Sequence, residues 1–269
     1  MIKLGVIGKP SDWLIASDVE DSKAKEIFDV ELCHIDIKEL ITLSIEKKEK
    51  VPMGLFKASF DEVELEKAYH IYLALKDMIQ KYDLAGLTIR CFDLLGTVKS
   101  TSCLAFALLN QEGIIATCEG DVPSMLSMYL MKSLLNKPAF QANPSRIDVE
   151  KNQILFAHCT LPLSMCTSYH FDTHFESGTG VGVKGELEER EISVFRIDNS
   201  LSRFVLLKGR IVENFKFDNL CRTQILLQLE DDVTYFLRNP LGNHHLIVYG
   251  QDTDALKDYL LARHFQQVH

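Results

Sequence analysis

The first half of the chain alternates short apolar strands with helical segments, and this alternation limits the fold more than any other feature of the sequence. The predicted strands are Ile2–Ile7, Val30–Ile37, Leu87–Cys91, Ile114–Cys118 and Ala139–Ala142. The predicted helices are a segment that ends at Glu46, followed by Asp61–Tyr82, Ser102–Asn110 and Val122–Leu135. Because parallel strands need a crossover connection, this order predicts an α/β domain with a mostly parallel, doubly wound sheet that helices cover on both faces.

After Asp148 the pattern changes to short segments rich in Val, Ile, Phe and Thr, which Gly, Asn and Asp separate. These segments are Gln153–Thr160, Gly182–Leu187, Ile192–Ile197, Phe204–Leu207, Thr223–Leu229, Val233–Leu237 and His244–Tyr249. Their spacing predicts an antiparallel β-barrel-like domain or a sandwich, and Asp254–His264 is predicted to close the chain as an amphipathic helix. We therefore predict an α/β domain over 1–148 and a β-barrel-like domain over 149–269, with a surface connection at 144–152.

The charge balance limits the class of ligand. The chain has 38 acidic and 29 basic residues and a formal net charge of −9, so no net positive field attracts phosphates. A nucleic-acid partner and an anionic membrane partner are therefore disfavoured, and a small neutral ligand is expected. No run approaches about 18 uninterrupted apolar residues, so no membrane span is predicted.

The cysteines indicate the redox compartment. There are seven of them, an odd number, and no CxxC pair occurs. A secreted disulfide framework is therefore disfavoured, and reduced thiols in the cytoplasm are expected. The opening MIKLGVIGKPSDW is interpreted as a first strand and its turn rather than as a signal peptide. Cys118 and Cys159 are candidate nucleophiles, although buried thiols more often pack as small apolar side chains.

Polar residues follow several of the predicted strands, at the sheet edge where ligands gather in α/β folds. They are Ser11–Trp13, Arg90–Asp93, Cys118–Asp121 and Gln141–Asn143. A polar loop after a strand is common, so each is weak evidence alone. Glu119 is the strongest candidate because it stands between an apolar strand and a capped helix, on a turn that Gly120 narrows. Asp121 is interpreted first as the helix cap.

Histidines form the second candidate group. His158 ends an apolar strand, and His244 and His245 open another. Neighbouring side chains of a strand face opposite ways, so only one of the paired histidines is expected to face a given site. Carboxylate and imidazole donors together suit Mn²⁺ or another divalent cation better than a structural zinc, although a packed core histidine is the common alternative.

A third histidine group and one glycine-rich stretch have plainer interpretations. His170, Asp172 and His174 could be ligands, but a polar loop is the preferred interpretation of their segment. The stretch Gly178–Gly182 has no helix behind it and is therefore interpreted as a turn rather than a phosphate cradle. No motif for dinucleotide, P-loop or serine-hydrolase chemistry occurs.

Four segments, in order along the chain, resemble the L-fucose/L-arabinose isomerase family. They are LTIRCFDLL (Leu87–Leu95), ATCEGDVPSMLSMYLMKSLLNKPAFQANPSRID (Ala116–Asp148), ILFAHCTLP (Ile154–Pro162) and GNHHLIVYG (Gly242–Gly250), with PSDWLIAS (Pro10–Ser17) as a weaker addition. The resemblance covers nearly the whole chain and implies the family's middle and carboxyl-terminal domains, without its further amino-terminal domain. It also implies a homo-oligomer.

The resemblance implies an intramolecular oxidoreductase that interconverts an aldose and a ketose through an enediol, with Mn²⁺ holding the sugar oxygens. It assigns the metal and acid–base glutamate to Glu119, and a metal ligand of the arabinose branch to His158. The carboxyl-terminal ligand is assigned to His245, with His244 as the alternative. The chemistry agrees, because a cation stabilises an enediolate and a carboxylate can move a proton between adjacent carbons.

Two departures from the family pattern leave alternatives open. This chain places Asn143 where the fucose branch has an aspartate base, and Phe92 near a glutamate of the arabinose branch. An amide cannot take up a proton as a carboxylate does, so Asp93 and Asp121 are the substitute candidates.

The remaining candidates complete these hypotheses. Trp13, Arg90 and Asn143 are the predicted sugar contacts. The alternative functions are a non-catalytic sugar- or metal-binding protein and, as a weaker hypothesis, metal-assisted hydrolysis.

Overall fold

The computed structural model describes residues 1–269 and contains a parallel four-stranded sheet with the strand order β2-β1-β3-β4. Its strands are β1 (Ile2–Ile7), β2 (Val30–Ile35), β3 (Gly86–Ile89) and β4 (Ile115–Cys118). The helices around it are α1 (Asp21–Phe28), α2 (Ile37–Glu46), α3 (Glu62–Tyr82), α4 (Cys103–Gln111) and α5 (Val122–Leu135). The α1 and α5 helices share one apolar core with the sheet, and α2, α3 and α4 share another. The predicted parallel sheet with helices on both faces is confirmed for these four strands. The predicted strand Ala139–Ala142 does not join it, because Phe140–Asp148 pairs antiparallel with two strands of the second half.

The second half forms a closed antiparallel barrel of six strands, in the order β11-β6-β5-β12-β9-β10 with β10 paired back to β11. The strands of this half are β5 (Phe140–Asp148), β6 (Gln153–His158), β7 (Cys166–Asp172), β8 (Gly182–Leu187), β9 (Glu191–Ile197), β10 (Arg203–Phe215), β11 (Thr223–Leu229), β12 (His245–Tyr249) and β13 (Gln266–Val268). A separate hairpin consists of β7 and β8, and β13 adds to β10 in parallel. The last helices are α6 (Tyr235–Arg238) and α7 (Asp254–Leu261). The barrel prediction is therefore confirmed in outline.

The helix α5 is the layer between the parallel sheet and the barrel. Its buried methionines and leucines share one core with Leu4 and Ile115 of the sheet and with Phe195 and Leu246 of the barrel. The helix α5 begins directly after β4 and packs against barrel strands, so the carboxyl end of β4 lies next to the barrel. No helix of this chain is both long and apolar enough to cross a membrane.

Several other segment predictions were wrong. The helix predicted to close the chain at Asp254–His264 ends at Leu261, and β13 follows it. Residues 144–148 belong to β5 rather than to a connection, because a bulge between Pro144 and Arg146 lets a proline sit in a paired strand. The predicted strand Val233–Leu237 is a helical turn that Asp232 opens by accepting from the Thr234 N–H at 2.9 Å. His170 and Asp172 lie in β7 rather than in a loop. The division into domains at residue 148 stays a prediction.

Candidate functional site

The backbone at the end of β4 adopts an uncommon conformation that aims Glu119 away from the strand. Glu119 has a φ of 63° and Gly120 a φ of 62°, so two consecutive residues are left-handed before α5 begins. For a residue other than glycine this conformation costs about 1–3 kcal/mol and persists only where the surroundings impose it. The Ser11 hydroxyl, which donates to the Glu119 carbonyl, is one such constraint. The strained turn places a carboxylate at the sheet edge.

Changing Gly120 to alanine is expected to destabilise the fold by at least about 2 kcal/mol. A Cβ at this position would lie 2.5 Å from the Lys9 carbonyl oxygen, and its positive φ adds strain. Gly96→Ala is the matched control, because its Cβ would meet nothing within 4 Å. Urea unfolding of the two variants measures the difference, and equal stability would show that the turn is not constrained.

The Glu119 side chain is enclosed by an indole and an imidazole. Its exposed fraction is 14%, the Trp13 Nε1–H donates to Oε2 at 3.1 Å, and His244 Nε2 lies 3.5 Å from Oε1. Burial raises the pKa of this carboxyl, but the charge and proximity of His244, together with His158 and Trp13, outweigh it and lower the pKa to about 2. Glu119 is therefore ionised at neutral pH, as a base or a metal ligand must be.

His244 is fully buried and faces two carboxylates. Its Nδ1 lies 2.9 Å from Asp121 Oδ2, whereas Nε2 points to Glu119 and has no hydrogen-bond partner. Burial lowers the pKa of this imidazole, but Glu119 and Asp121 outweigh it and raise the pKa to about 9. The site therefore holds a buried imidazole nitrogen that makes no hydrogen bond within the protein.

A buried arginine holds Asp121 behind His244. Both Arg196 and Asp121 have fully buried side chains, and the guanidinium donates to the two carboxylate oxygens at 2.9 and 3.1 Å. Arg196 also donates to Ser124 Oγ and to the carbonyl oxygens of His244 and Ala16. Burial raises the pKa of Asp121, but Arg196 outweighs it and keeps the carboxyl ionised. One side chain from β9 thus ties the barrel to the edge of the sheet.

His158 completes the group from the end of β6. Its Nδ1 lies 2.9 Å from Thr160 Oγ1, and its ring centroid is 5.2 Å from that of His244. Burial and the charge of His244 lower the pKa of His158 to about 4, so this ring is neutral and able to bind a cation. Donor atoms of Cys118, Glu119 and His158 all lie within 4.8 Å of one another. Segments far apart in sequence therefore converge here.

His245 faces the opposite way from His244. Its Nε2 lies 3.0 Å from the Tyr235 hydroxyl and its ring packs against Phe236, with centroids 4.9 Å apart. Burial lowers its pKa to about 3. The period of two along a strand explains the split, because successive side chains point to opposite faces. The structure brings His244, and not His245, beside Glu119.

The other predicted residues lie around this group or beyond it. The Arg90 guanidinium lies 5.6 Å from the Trp13 ring, and Phe92 meets the same ring edge-on. Asp93 is held by the Arg90 Nε–H, which donates to its two oxygens at 3.0 and 2.9 Å. Asn143 is half-buried on β5 and pairs with the residue before His158. Neither Asp93 nor Asp121 is a free carboxylate beside Glu119.

Two further polar residues lie near the site: Arg196, which was not among the candidates, and His174, which was interpreted as part of a polar loop and lies outside the strands. Arg196 carries a signal that was available, because a lone arginine inside the apolar strand EISVFRI needs a buried partner. His174 is buried with Nδ1 3.0 Å from Ser177 Oγ, and its ring meets Phe92 at 5.9 Å. Its ring contacts Phe92 rather than Glu119.

In metal-free protein, stability is expected to fall by about 3 kcal/mol as the pH rises from 6.5 to above 9. The folded pKa of His244 lies above its ordinary value of 6.5, so its charge stabilises the fold below pH 6.5 and this contribution is lost through pH 9. His244→Gln should flatten that part of the profile. Urea midpoints across the range measure it, and a parallel decline in both proteins would contradict the assignment.

No protein-family model matches the chain. Among curated proteins, it is similar to a sulfoquinovose isomerase of Priestia aryabhattai, with 22% identity over 276 residues, 95% of this chain and 61% of that protein. A sulfoquinovose isomerase of Clostridium sp. (strain MSTE9) is 25% identical over 285 residues, 97% of this chain and 62% of that protein. This chain thus spans about three fifths of the length of these relatives. They support an isomerase relationship but do not single out the fucose and arabinose branches.

Proposed function

We propose that this chain carries the reaction centre of a metal-dependent sugar aldose–ketose isomerase. The observation that carries the proposal is the ionised Glu119 carboxylate, which faces two buried histidines at the carboxyl end of a parallel sheet. The relatives named sulfoquinovose isomerase support the reaction class, and they make sulfoquinovose or a related aldose the proposed substrate. Fucose and arabinose remain candidate substrates from the motif resemblance.

The residues at the site fit a divalent cation. Glu119 offers an oxygen, His158 offers the ring nitrogen that Thr160 does not bind, and His244 offers a buried nitrogen without a hydrogen-bond partner. An unpaired buried polar atom is costly, and a ligand would remove that cost. When bound, a divalent cation would polarise a sugar carbonyl and stabilise negative charge on the adjacent oxygens. Mn²⁺ or another divalent cation is therefore the proposed cofactor.

The proton transfer and the contacts with the sugar are assigned to the protein's own side chains. Glu119 would take the proton from C2 of the open-chain aldose and return it to C1 of the enediol, while the proton of the C2 hydroxyl passes to the C1 oxygen. In metal-free protein the positive charge on His244 keeps Glu119 ionised and oriented, whereas a bound cation would replace the proton on His244 Nε2 and Asp121 would still hold the ring through Nδ1. Trp13 covers the carboxylate and offers an aromatic face to the sugar, with its N–H already on Oε2.

A non-catalytic sugar- or metal-binding protein is the second proposal, and one observation favours it. Glu119 is the one carboxylate of the site that no arginine pairs, because Asp93 binds Arg90 and Asp121 binds Arg196. No second free carboxylate among the predicted candidates can then move the proton between the two sugar oxygens. The homo-oligomer and the cytoplasmic location stay predictions.

The test is ketose formation from a panel of aldoses that includes sulfoquinovose, L-fucose and L-arabinose, with and without added Mn²⁺. We expect one aldose to be converted in a cation-dependent manner. Sugar binding without turnover, in protein that keeps its fold and its cation, would favour the non-catalytic proposal. If the protein neither converts nor binds any of these sugars, both the catalytic and the sugar-binding proposals are wrong.

A further inference from the structure

A buried thiol lies among the donor atoms of the candidate cation site. Cys118 is 3% exposed, and its Sγ belongs to the group whose donors lie within 4.8 Å of one another, with Glu119 and His158. No cysteine of the chain is in a disulfide. The sulfur therefore faces the same small volume as the carboxylate and the imidazole.

The position of this thiol follows from the fold. Cys118 is the last residue of β4, and Glu119 turns away from the strand only because its backbone is left-handed. Two consecutive residues, whose side chains would point to opposite faces in a continuous strand, thus present their donors to one point. His158 reaches the same point from β6, with Nδ1 held by Thr160.

An independent observation points to a ligand here. His244 Nε2 is fully buried, lies 3.5 Å from Glu119 Oε1 and has no hydrogen-bond partner. His244 borders the group at Glu119 but is not one of its three donors, which are one sulfur, one oxygen and one nitrogen. Zinc-like ions prefer four-coordinate sites of this mixture, whereas Mn²⁺ prefers oxygen-rich sites.

We propose that Cys118 is a ligand of the cation at this site, so that the site selects a borderline ion such as Zn²⁺ or Co²⁺ over Mn²⁺. The proposal takes its site from the proposed function and changes the ion expected there. On binding, the Cys118 thiol releases its proton to solvent and the resulting thiolate donates an electron pair to the cation.

Cys91 is the nearest competing thiol. Its Sγ lies 3.0 Å from that of Cys118, and it is equally buried. Cys91 is not part of the group formed by Cys118, Glu119 and His158, so its predicted role is to pack behind the ligand. The two thiols must therefore be separated by mutation.

The experiment is a Co²⁺ titration of the metal-free full chain, kept reduced with a phosphine. The wild type is expected to show a thiolate-to-cobalt charge-transfer band in the near ultraviolet and the intense visible bands of a four-coordinate ion. Cys118→Ser should lose the charge-transfer band, whereas Cys91→Ser and the distant Cys33→Ser should keep it. Zn²⁺ should displace the cobalt at equimolar concentration, and Mn²⁺ should not at a hundredfold excess.

Zinc-edge X-ray absorption of the wild type keeps the proposal testable if Cys118→Ser does not fold. One sulfur neighbour at about 2.3 Å is expected. Bound metal without a sulfur neighbour, a charge-transfer band that survives in Cys118→Ser, or a band lost only in Cys91→Ser would overturn the proposal. A sulfur-ligated ion in a protein that converts no aldose would support Cys118 as a ligand and contradict the proposed catalysis. Turnover with a bound ion that has no sulfur ligand would contradict Cys118 as a ligand and support the proposed catalysis.

Discussion

For the proposed aldose isomerisation, changing Glu119 to glutamine is expected to lower kcat by about 10²- to 10⁴-fold. The amide keeps the shape of the side chain and its contact with the Trp13 N–H, but it cannot take up a proton. Neither Asp93 nor Asp121 can replace it, because arginines hold both carboxylates. The rate of ketose formation under saturating sugar measures the effect.

Glu176→Gln is the control for this substitution. Glu176 belongs to the same neighbourhood and lies 3.8 Å from His174 Nε2, but it is 53% exposed and does not contact His244. It should retain nearly full activity. A Glu119→Gln enzyme within about threefold of the wild-type rate would show that another group moves the proton.

Changing Arg196 to methionine is expected to destabilise the fold by about 3–5 kcal/mol. Methionine fills similar space, but it leaves Asp121 ionised, fully buried and without its cation. It also removes the donors to Ser124 Oγ and to the carbonyl oxygens of His244 and Ala16. Since these groups come from α5, the barrel and the loop after β1, the substitution should destabilise both the sheet and the barrel. Urea unfolding measures it.

Arg190→Met is the matched control, because the Arg190–Glu188 pair is exposed on both sides, at 50% and 60%. Such surface pairs contribute about 0–1 kcal/mol. An Arg196→Met variant as stable as the control would mean that Asp121 takes up a proton instead of remaining charged.

Many strands and helices could be predicted from the sequence because their apolar residues follow strand or helix periodicity. The strands β1, β8 and β11 and the helix α5 begin and end at the predicted residues. The errors fall where local chemistry overrides composition. Pro144 sits at a bulge inside β5, and the valine-rich segment after Asp232 turns into a short helix. Neither the bulge nor the turn can be deduced from apolar spacing alone.

The candidate site could be predicted only in part, because some of its contacts depend on long-range packing. Glu119 and His158 follow strands, so their place at a sheet edge could be predicted. The choice between His244 and His245 depends on which strand face meets α5, and the sequence does not contain that information. The role of Asp121 as more than a helix cap depends on Arg196, which lies 75 residues away. Long-range pairs of this kind emerge only from the packed structure.

The central claim is that Glu119, His158 and His244 bind one cation together. Calorimetric titration of the metal-free chain with Zn²⁺ and with Mn²⁺ tests it most directly. One ion should bind per chain, and each of Glu119→Gln, His158→Gln and His244→Gln should weaken binding by at least about tenfold. His245→Gln should bind as the wild type does. Unchanged affinity in the first three variants, or a loss confined to His245→Gln, would contradict the claim.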